Sequence, residues 1–324
     1  MFSRLLVTGG AGFIGCNFIR MMLETHSDLH IVNLDALTYA ANREALRSFD
    51  GHPRYTFVQG DITDAVLVDR LMQQVDGVVN FAAESHVDRS IADPGIFVKT
   101  NVLGTQVLLC AARQHGVKRY LQVSTDEVYG TLGAKGYFTE ETPLAANSPY
   151  SASKAGADLM VRAYHETFGL PTLLTRCSNN YGPYQHDEKL IPTLIRKALR
   201  DEPLPIYGDG LNVRDWLFVE DHCRAIDLVL REGTVGQVYN VGGHNECKNI
   251  EIARLILKTL GKPESLISYV DDRLGHDRRY AIDAKKMQDV FGWVPDVTFE
   301  QGIQSTIAWY AEHYAMSSAR SEDK

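Results

Sequence analysis

The sequence lacks what would make it a disulfide scaffold, a membrane protein or a polycation. It has 5 cysteines in 324 residues, and Cys16, Cys110, Cys177, Cys223 and Cys247 are widely spaced with no Cys-x-x-Cys pair. That argues against a disulfide framework or structural zinc and fits a reducing, cytoplasmic setting. No apolar run approaches the ~20 residues of a membrane span. The opening Met1–Thr8 reaches Gly9-Gly10 before a signal-peptide apolar stretch could be completed. Positive charge is scarce too: 33 Lys+Arg stand against 41 Asp+Glu, a net charge of -8. With no basic run to act locally, nothing attracts nucleic acid, and neither a nucleic-acid nor a membrane partner is expected. His86, His165, His186, His222, His244 and His276 lack metal-ligand spacing, so no metal is expected.

What is present is ordinary globular material, 44% hydrophobic and 23% charged. On ~150 residues per domain, the length suggests two lobes. Short β-rich runs (Leu5–Thr8, Ile31–Leu34, Tyr55–Gln59, Gly77–Phe81, Tyr120–Ser124, Thr172–Thr175) alternate with helical patterns at Phe13–Glu24, Ala65–Gln74, Phe97–Gln114 and Tyr150–Phe168. This alternation implies an α/β fold of Rossmann type, a doubly wound parallel sheet with strands buried on both faces. After Asn179, prolines and glycines break the chain into shorter pieces, among them Val238–Val241, Ile250–Leu260 and Phe299–Tyr314. The expected division is a Rossmann domain at 1–178 and a smaller, loop-rich α/β lobe at 179–315, with some chain crossing back. Residues 316–324 read as a frayed tail.

Leu5-Leu6-Val7-Thr8-Gly9-Gly10-Ala11-Gly12-Phe13-Ile14-Gly15 runs from strand through glycines into helix. Gly9 permits the turn, Gly12 the approach of a pyrophosphate, and Gly15 close helix–strand packing. The exposed N–H groups of the helix start favour phosphates. Asp35 ends the next strand, about twenty residues on, placed to accept from ribose hydroxyls. Its charge would repel a 2′-phosphate, which favours NAD over NADP. Asp61, after the third strand, suits either an adenine contact or a helix N-cap.

Tyr150 and Lys154 stand at i and i+4, on one helix face. A phenol of pKa ~10 becomes a usable base if a lysine charge and a cationic nicotinamide ring lower that value; otherwise the two are a surface pair. Thr125, at a strand end, could bind the same substrate hydroxyl. Asp126 and Glu127 follow directly, at the turn where both carboxylates can reach one crevice. A plain alcohol dehydrogenase needs no such pair. An elimination does, with one acid protonating a leaving hydroxyl and the other removing a carbon-bound proton. The alternative is a solvated loop or a cap.

Thr8–Gly15, Ser124-Thr125-Asp126-Glu127-Val128-Tyr129-Gly130 and Tyr150-x-x-x-Lys154 together resemble the extended short-chain dehydrogenases, and among them the dTDP-glucose 4,6-dehydratases. The likeness continues through Ala82–Ser90, Thr175–Pro183, Tyr207–Trp216 and Asp272–Tyr280 and covers the chain from about Leu5 to about Tyr314. It implies NAD as cofactor and a nucleotide-diphosphate hexose as substrate: C4 oxidation by Tyr150, elimination by Glu127 and Asp126, and hydride return to C6. It also implies a cofactor site at Gly9, Gly12, Phe13, Ile14, Gly15, Asp35, Leu37, Thr38, Asp61, Ile62, Ala82, Ala83, Thr100, Tyr150, Lys154 and Asn180. The substrate site it implies is Ser85, Thr125, Asn179, Lys189, Leu190, Pro205, Tyr207, Arg214, Asn249, Arg273, His276 and Tyr280. Arg214 and Arg273 can fork onto phosphates, or pair with Asp215 and Asp272; Tyr207 can stack on a base, or simply pack a turn. A homodimer through Phe97–Gln114 and Tyr150–Phe168 is implied as well. Ala41 and His186-Asp187 depart from the family pattern and leave dTDP against UDP open. Other readings are a UDP-hexose 4-epimerase, which would leave Asp126-Glu127 unexplained, and a non-catalytic NAD-binding subunit.

Overall fold

The computed structural model describes residues 2–272 and 274–322. Its strands are β1 (Arg4–Thr8), β2 (His30–Asp35), β3 (Tyr55–Gln59), β4 (Gly77–Asn80), β5 (Arg119–Thr125) and β6 (Thr172–Cys177), then β7 (Asn179–Tyr181), β8 (Leu204–Tyr207), β9 (Val213–Phe218), β10 (Val238–Val241), β11 (Glu246–Lys248) and β12 (Ile267–Val270). The main sheet is ordered β10-β6-β5-β4-β1-β2-β3, with every pair parallel. Chain order reverses between β1 and β4, so a crevice opens at their carboxyl ends. The first six strands come where the apolar runs place them. The seventh, β10, comes from the later part of the chain and crosses back to pair with β6. Edge strand β3 is not buried on both faces as expected: Thr56, Phe57 and Gln59 are exposed.

The helices are α1 (Phe13–Thr25), α2 (Arg43–Arg47), α3 (Ala65–Met72), α4 (Val87–Ala92), α5 (Pro94–Phe97), α6 (Thr105–His115), α7 (Pro149–Phe168), α8 (Leu190–Leu199), α9 (Val219–Glu232), α10 (Asn249–Thr259), α11 (Lys285–Phe291) and α12 (Phe299–Glu322). On one face of the sheet, Phe18, Met22, Ile226 and Val229 pack against Leu5, Val7 and Leu121. Leu108, Leu109, Val68 and Leu71 cover the other face. The second lobe has its own core of Leu194, Ile195, Trp216, Ile250, Ile256, Leu257 and Ile303, around the β8/β12 pair and the β11-β9-β7 ribbon.

Three expectations change. The segment read as one helix over Phe97–Gln114 is interrupted by a π-helical stretch, Val98–Gly104, whose wider turn carries Thr100 and Asn101 toward the crevice. The stretch Pro94–His115 is also apolar enough to span a membrane by length and composition, with 22 residues and mean hydropathy 1.4. Here Phe97, Leu108, Leu109 and Ala112 are fully buried, so its apolar face is a core face. Finally, α12 continues through residues 316–322, set aside above as a tail; no glycine or proline interrupts it there.

Candidate active site

The first cavity, about 320 Å³, lies at the sheet's switch point. Its floor is the glycine loop. Gly9 has φ +71, and a Cβ there would meet the Ala82 nitrogen at 2.6 Å; a Cβ on Gly15 would meet the Gly9 oxygen at 2.4 Å. Only glycine lets these segments close up into a cradle, and α1 begins directly after Gly12 without a side-chain cap, leaving its first N–H groups to a ligand. Asp35 is fixed by the N–H groups of Ala11 (2.8 Å) and Leu37 (2.7 Å). Burial pushes its carboxyl up, and those two bonds pull it back. The cradle, the free helix start and the acid fit a dinucleotide. Phe13, Ile14, Thr38, Asp61, Ile62, Ala82, Ala83, Thr100 and Asn180 line the same cavity.

Leu37 does not line it; at φ 53 it shapes the wall through the backbone bond to Asp35. Asp61 is not the N-cap of α3 either. That is Asp64, which accepts from Val66 and Leu67, while Asp61 caps its own turn by accepting from the Thr63 N–H and hydroxyl.

Ser148 and Ser151 form a reciprocal capping box, Pro149 occupies the first turn, and Gly169 at φ 68 ends the helix. Helix α7 therefore starts one residue before Tyr150, at Pro149, and turns Tyr150 and Lys154 toward β5. The pair is buried, not on the surface: Tyr150 is 8% exposed and Lys154 4%. The Lys154 ammonium donates to the Val123 carbonyl at 2.7 Å. Burial lowers the lysine, and Asp158, one turn further along, offsets part of that. The phenol does not sit below its ordinary range. Burial, then Glu127, raise it, while a bond from Thr125 lowers it. The chain alone thus does not lower this phenol, and the cationic ring of an oxidised dinucleotide would bring positive charge to it.

After Thr125 the chain leaves the strand in a 3-10 turn, Asp126–Tyr129, with the Thr125 hydroxyl accepting from the Glu127 N–H at 3.3 Å. The turn buries Asp126 to 1% exposure and lines the cavity with both acids. Burial raises the Asp126 carboxyl well above the usual range, with Glu127 and Asp215 adding to it. One Asp126 oxygen has no hydrogen-bond partner. This is no solvated loop.

A second cavity of about 290 Å³ adjoins the first and shares Ser85, Glu127, Asn179, Asn180, Glu188 and Lys189 with it. Leu190, Pro205, Tyr207, Arg214, Asn249 and His276 are among its other walls. Lys189 donates to the Ser85 carbonyl at 2.9 Å. The Arg214 guanidinium donates to the Asp277 carbonyl and lies over the Tyr280 ring at 4.5 Å. Asp215 turns instead to the N–H groups of Gly243 (2.9 Å) and Asn245 (2.6 Å). His276 does pair with Asp272, at 2.6 Å. Tyr280 is 3% exposed and lines neither cavity; its ring lies under Arg214 and its hydroxyl donates to Asp277, so it supports the arginine. Arg273 lies outside the described residues. Among the described residues no group of His, Cys, Asp and Glu could hold a metal.

A family model described as GDP-mannose 4,6 dehydratase matches residues 6–306. A dTDP-glucose 4,6-dehydratase of Xanthomonas campestris pv. campestris is 59% identical, covering 94% of this chain and 92% of that protein. The chain belongs to this dehydratase family. A crystal structure of dTDP-glucose 4,6-dehydratase from Bacillus anthracis in complex with NAD is 53% identical, with TM-score 0.90 over 95% of this chain and 96% of that one. The Streptomyces venezuelae enzyme, solved with NAD and TYD bound, is 51% identical with TM-score 0.94, over 97% and 98%.

The dehydratase site also relies on residues that reading the sequence did not single out. Asn101 exchanges hydrogen bonds with the Glu84 backbone and donates to Ser153 at 2.8 Å, tying the π-helical stretch to α7. Asp158 pairs with Arg176 at 2.9 Å, fully buried, and Arg176 reaches the Tyr129 hydroxyl at 3.0 Å. Tyr150, Lys154 and Asp158 recur every four residues; an acid repeated at helical spacing beside a lysine was the available signal. Asn101 had none, because its partners are far away in sequence.

Proposed function

We propose that this chain dehydrates dTDP-glucose to dTDP-4-keto-6-deoxyglucose, as an NAD-dependent sugar-nucleotide 4,6-dehydratase. The observation that carries the reading is Asp126, a buried carboxyl that burial pushes well above its usual range, beside a second acid, Glu127, and lining one cavity with Tyr150 and Thr125. Bound NAD supplies the hydride chemistry, taking hydride from C4 and giving it back to C6, so none is consumed. Tyr150 removes the C4 hydroxyl proton, with Thr125 orienting that hydroxyl and Lys154 holding positive charge nearby. The resulting 4-keto group acidifies the C5 hydrogen, and Glu127 takes it. Asp126 delivers its proton to the departing C6 hydroxyl. The two carboxyls need opposite protonation states, and unequal burial supplies the difference. A 4-epimerase would have no use for a neutral Asp126.

Arg214 and Lys189 are proposed to hold the diphosphate, with Tyr207, Asn249, His276, Pro205 and Leu190 around the base and Ser85 and Asn179 nearer the sugar. In this reading the 179–315 segment is mainly the nucleotide-sugar lobe. A homodimer is supported by apolar side chains exposed on the π-helical stretch and α7, Val98, Leu103 and Leu159. The five cysteines are all free, which suits a cytoplasmic reaction.

The test is mass spectrometry of dTDP-glucose and UDP-glucose after separate incubation with purified protein. Loss of one water without build-up of reduced cofactor is expected, faster with dTDP-glucose. An epimer of unchanged mass, or no change in either substrate, overturns the reading. Glu127→Gln is expected to reduce bound NAD yet release no product.

A further inference from the structure

A group of side chains outside the reacting cluster joins the two halves where the cavities adjoin. The segment 36–42 runs across the glycine loop, fixed by the Leu37–Asp35 bond and by the Asn42 N–H donating to the Ala11 carbonyl at 2.7 Å. It carries Tyr39, whose ring is half-buried. The Arg89 guanidinium, from α4, lies 3.5 Å from the centre of that ring. The same arginine stands 3.4 Å from a Glu188 oxygen, and burial, then the Glu188 charge, push the Tyr39 phenol up. His186 meets the Tyr39 ring edge-on at 5.7 Å.

The strip that carries His186 and Glu188 is anchored from behind. The Tyr310 hydroxyl donates to the Gln185 carbonyl and the Tyr314 hydroxyl to Asp187 at 2.5 Å, while Arg20 donates to the Tyr184 hydroxyl at 2.8 Å. A loop of the Rossmann half is thereby fastened to a rigid strip of the second lobe. Ala36, Thr38, Ala40 and Ala41 on one side, and Glu84, His186 and Glu188 on the other, are walls of the first cavity. The fastening spans that cavity's opposite walls, yet none of its members has a part in the reaction.

We propose that Tyr39, Arg89 and Glu188 form a clasp that retains NAD in the first cavity between turnovers. The inference rests on reading that cavity as the cofactor site. Its logic is kinetic. Hydride that leaves C4 returns to C6, so nothing requires the dinucleotide to depart, and a contact closing its exit slows loss without impeding chemistry. The polar and aromatic contacts are reversible and partly exposed, so the clasp can open when the cofactor is first loaded.

The test follows exchange of bound NAD for a fluorescent NAD analogue in purified holoenzyme. Tyr39→Ala and Arg89→Ala are expected to speed exchange about tenfold, the order of one partly desolvated cation–π contact. Turnover at saturating NAD should stay within about twofold. Tyr39→Phe, which keeps the ring under Arg89, should recover most of the slow exchange. Should Tyr39→Ala fail to fold, by circular dichroism, Arg89→Ala decides alone, since its side chain is 52% exposed. Exchange at the unmodified rate in a folded variant overturns the clasp and leaves the cofactor site standing. Absence of NAD binding by the unmodified protein overturns both.

Discussion

The two halves of the site are made of different material. The cofactor half is backbone: a glycine turn, an uncapped helix start and one acid pinned by two N–H groups. The half proposed for the sugar nucleotide is side chain, drawn from segments as far apart as Ser85, Lys189, Arg214 and His276. A backbone cradle tolerates no added atom at its closest approaches but depends on few neighbours. A side-chain wall tolerates substitution of shape and fails through loss of a single charge.

The sharpest break in that contrast is Gly15→Ala. The new methyl would lie 2.4 Å from the Gly9 oxygen, which cannot yield without opening the turn. NAD affinity is expected to fall by about 100-fold or more, with a stability loss of about 1–3 kcal/mol from overpacking. Calorimetric titration with NAD measures the first, and unchanged affinity would mean that the cradle is looser than its contacts. Arg214→Ala should do the reverse: NAD affinity unchanged, and KM for the sugar nucleotide up by roughly 30–100-fold through loss of a charge-assisted phosphate contact. An effect on both ligands would mean that the halves are not separable.

The same contrast decides what could be read from the sequence. The glycine spacing, Asp35 and the strand–helix rhythm are local, so the sheet and cofactor cradle were legible within short windows. Tyr150 and Lys154 were legible because four residues along a helix fix a shared face. The substrate wall was readable only through family resemblance. Tyr280 shows the limit: its motif pointed to ligand contact, while its surroundings make it a prop for Arg214. Nor could spacing reveal that β10 rejoins the sheet, or that Asn101 bridges α7 and the loop after β4. The raised phenol of Tyr150 comes first from burial and then from Glu127, and spacing along a helix reveals neither.

Asp126 lines the first cavity beside Glu127, which both cavities share, and its substitution separates function from stability. In the folded chain its carboxyl keeps a proton that the unfolded chain releases near pH ~4. The folded state thus binds more protons than the unfolded one above that pH, and stability falls as pH rises toward the folded-state value. Asp126→Asn removes the cost. A Tm gain of a few degrees is expected at neutral to alkaline pH, shrinking to nothing near pH ~4, together with loss of product formation. A gain that does not vary with pH would mean that Asp126 is ionised in the folded protein.

The smallest expected effect belongs to an exposed member of the proposed substrate wall. Tyr207 is 41% exposed at the end of β8, edge-on to His276 at 6.3 Å, and so is little constrained by packing. If its ring stacks on the base, Tyr207→Leu should raise KM by roughly 3–10-fold, within the range of one base–aromatic stack, and leave kcat and NAD affinity alone. Tyr207→Phe keeps the ring and should change little. Equal losses in both variants would assign the contact to the hydroxyl. That outcome would shift base recognition from stacking to hydrogen bonding, a mode that can tell one pyrimidine from another.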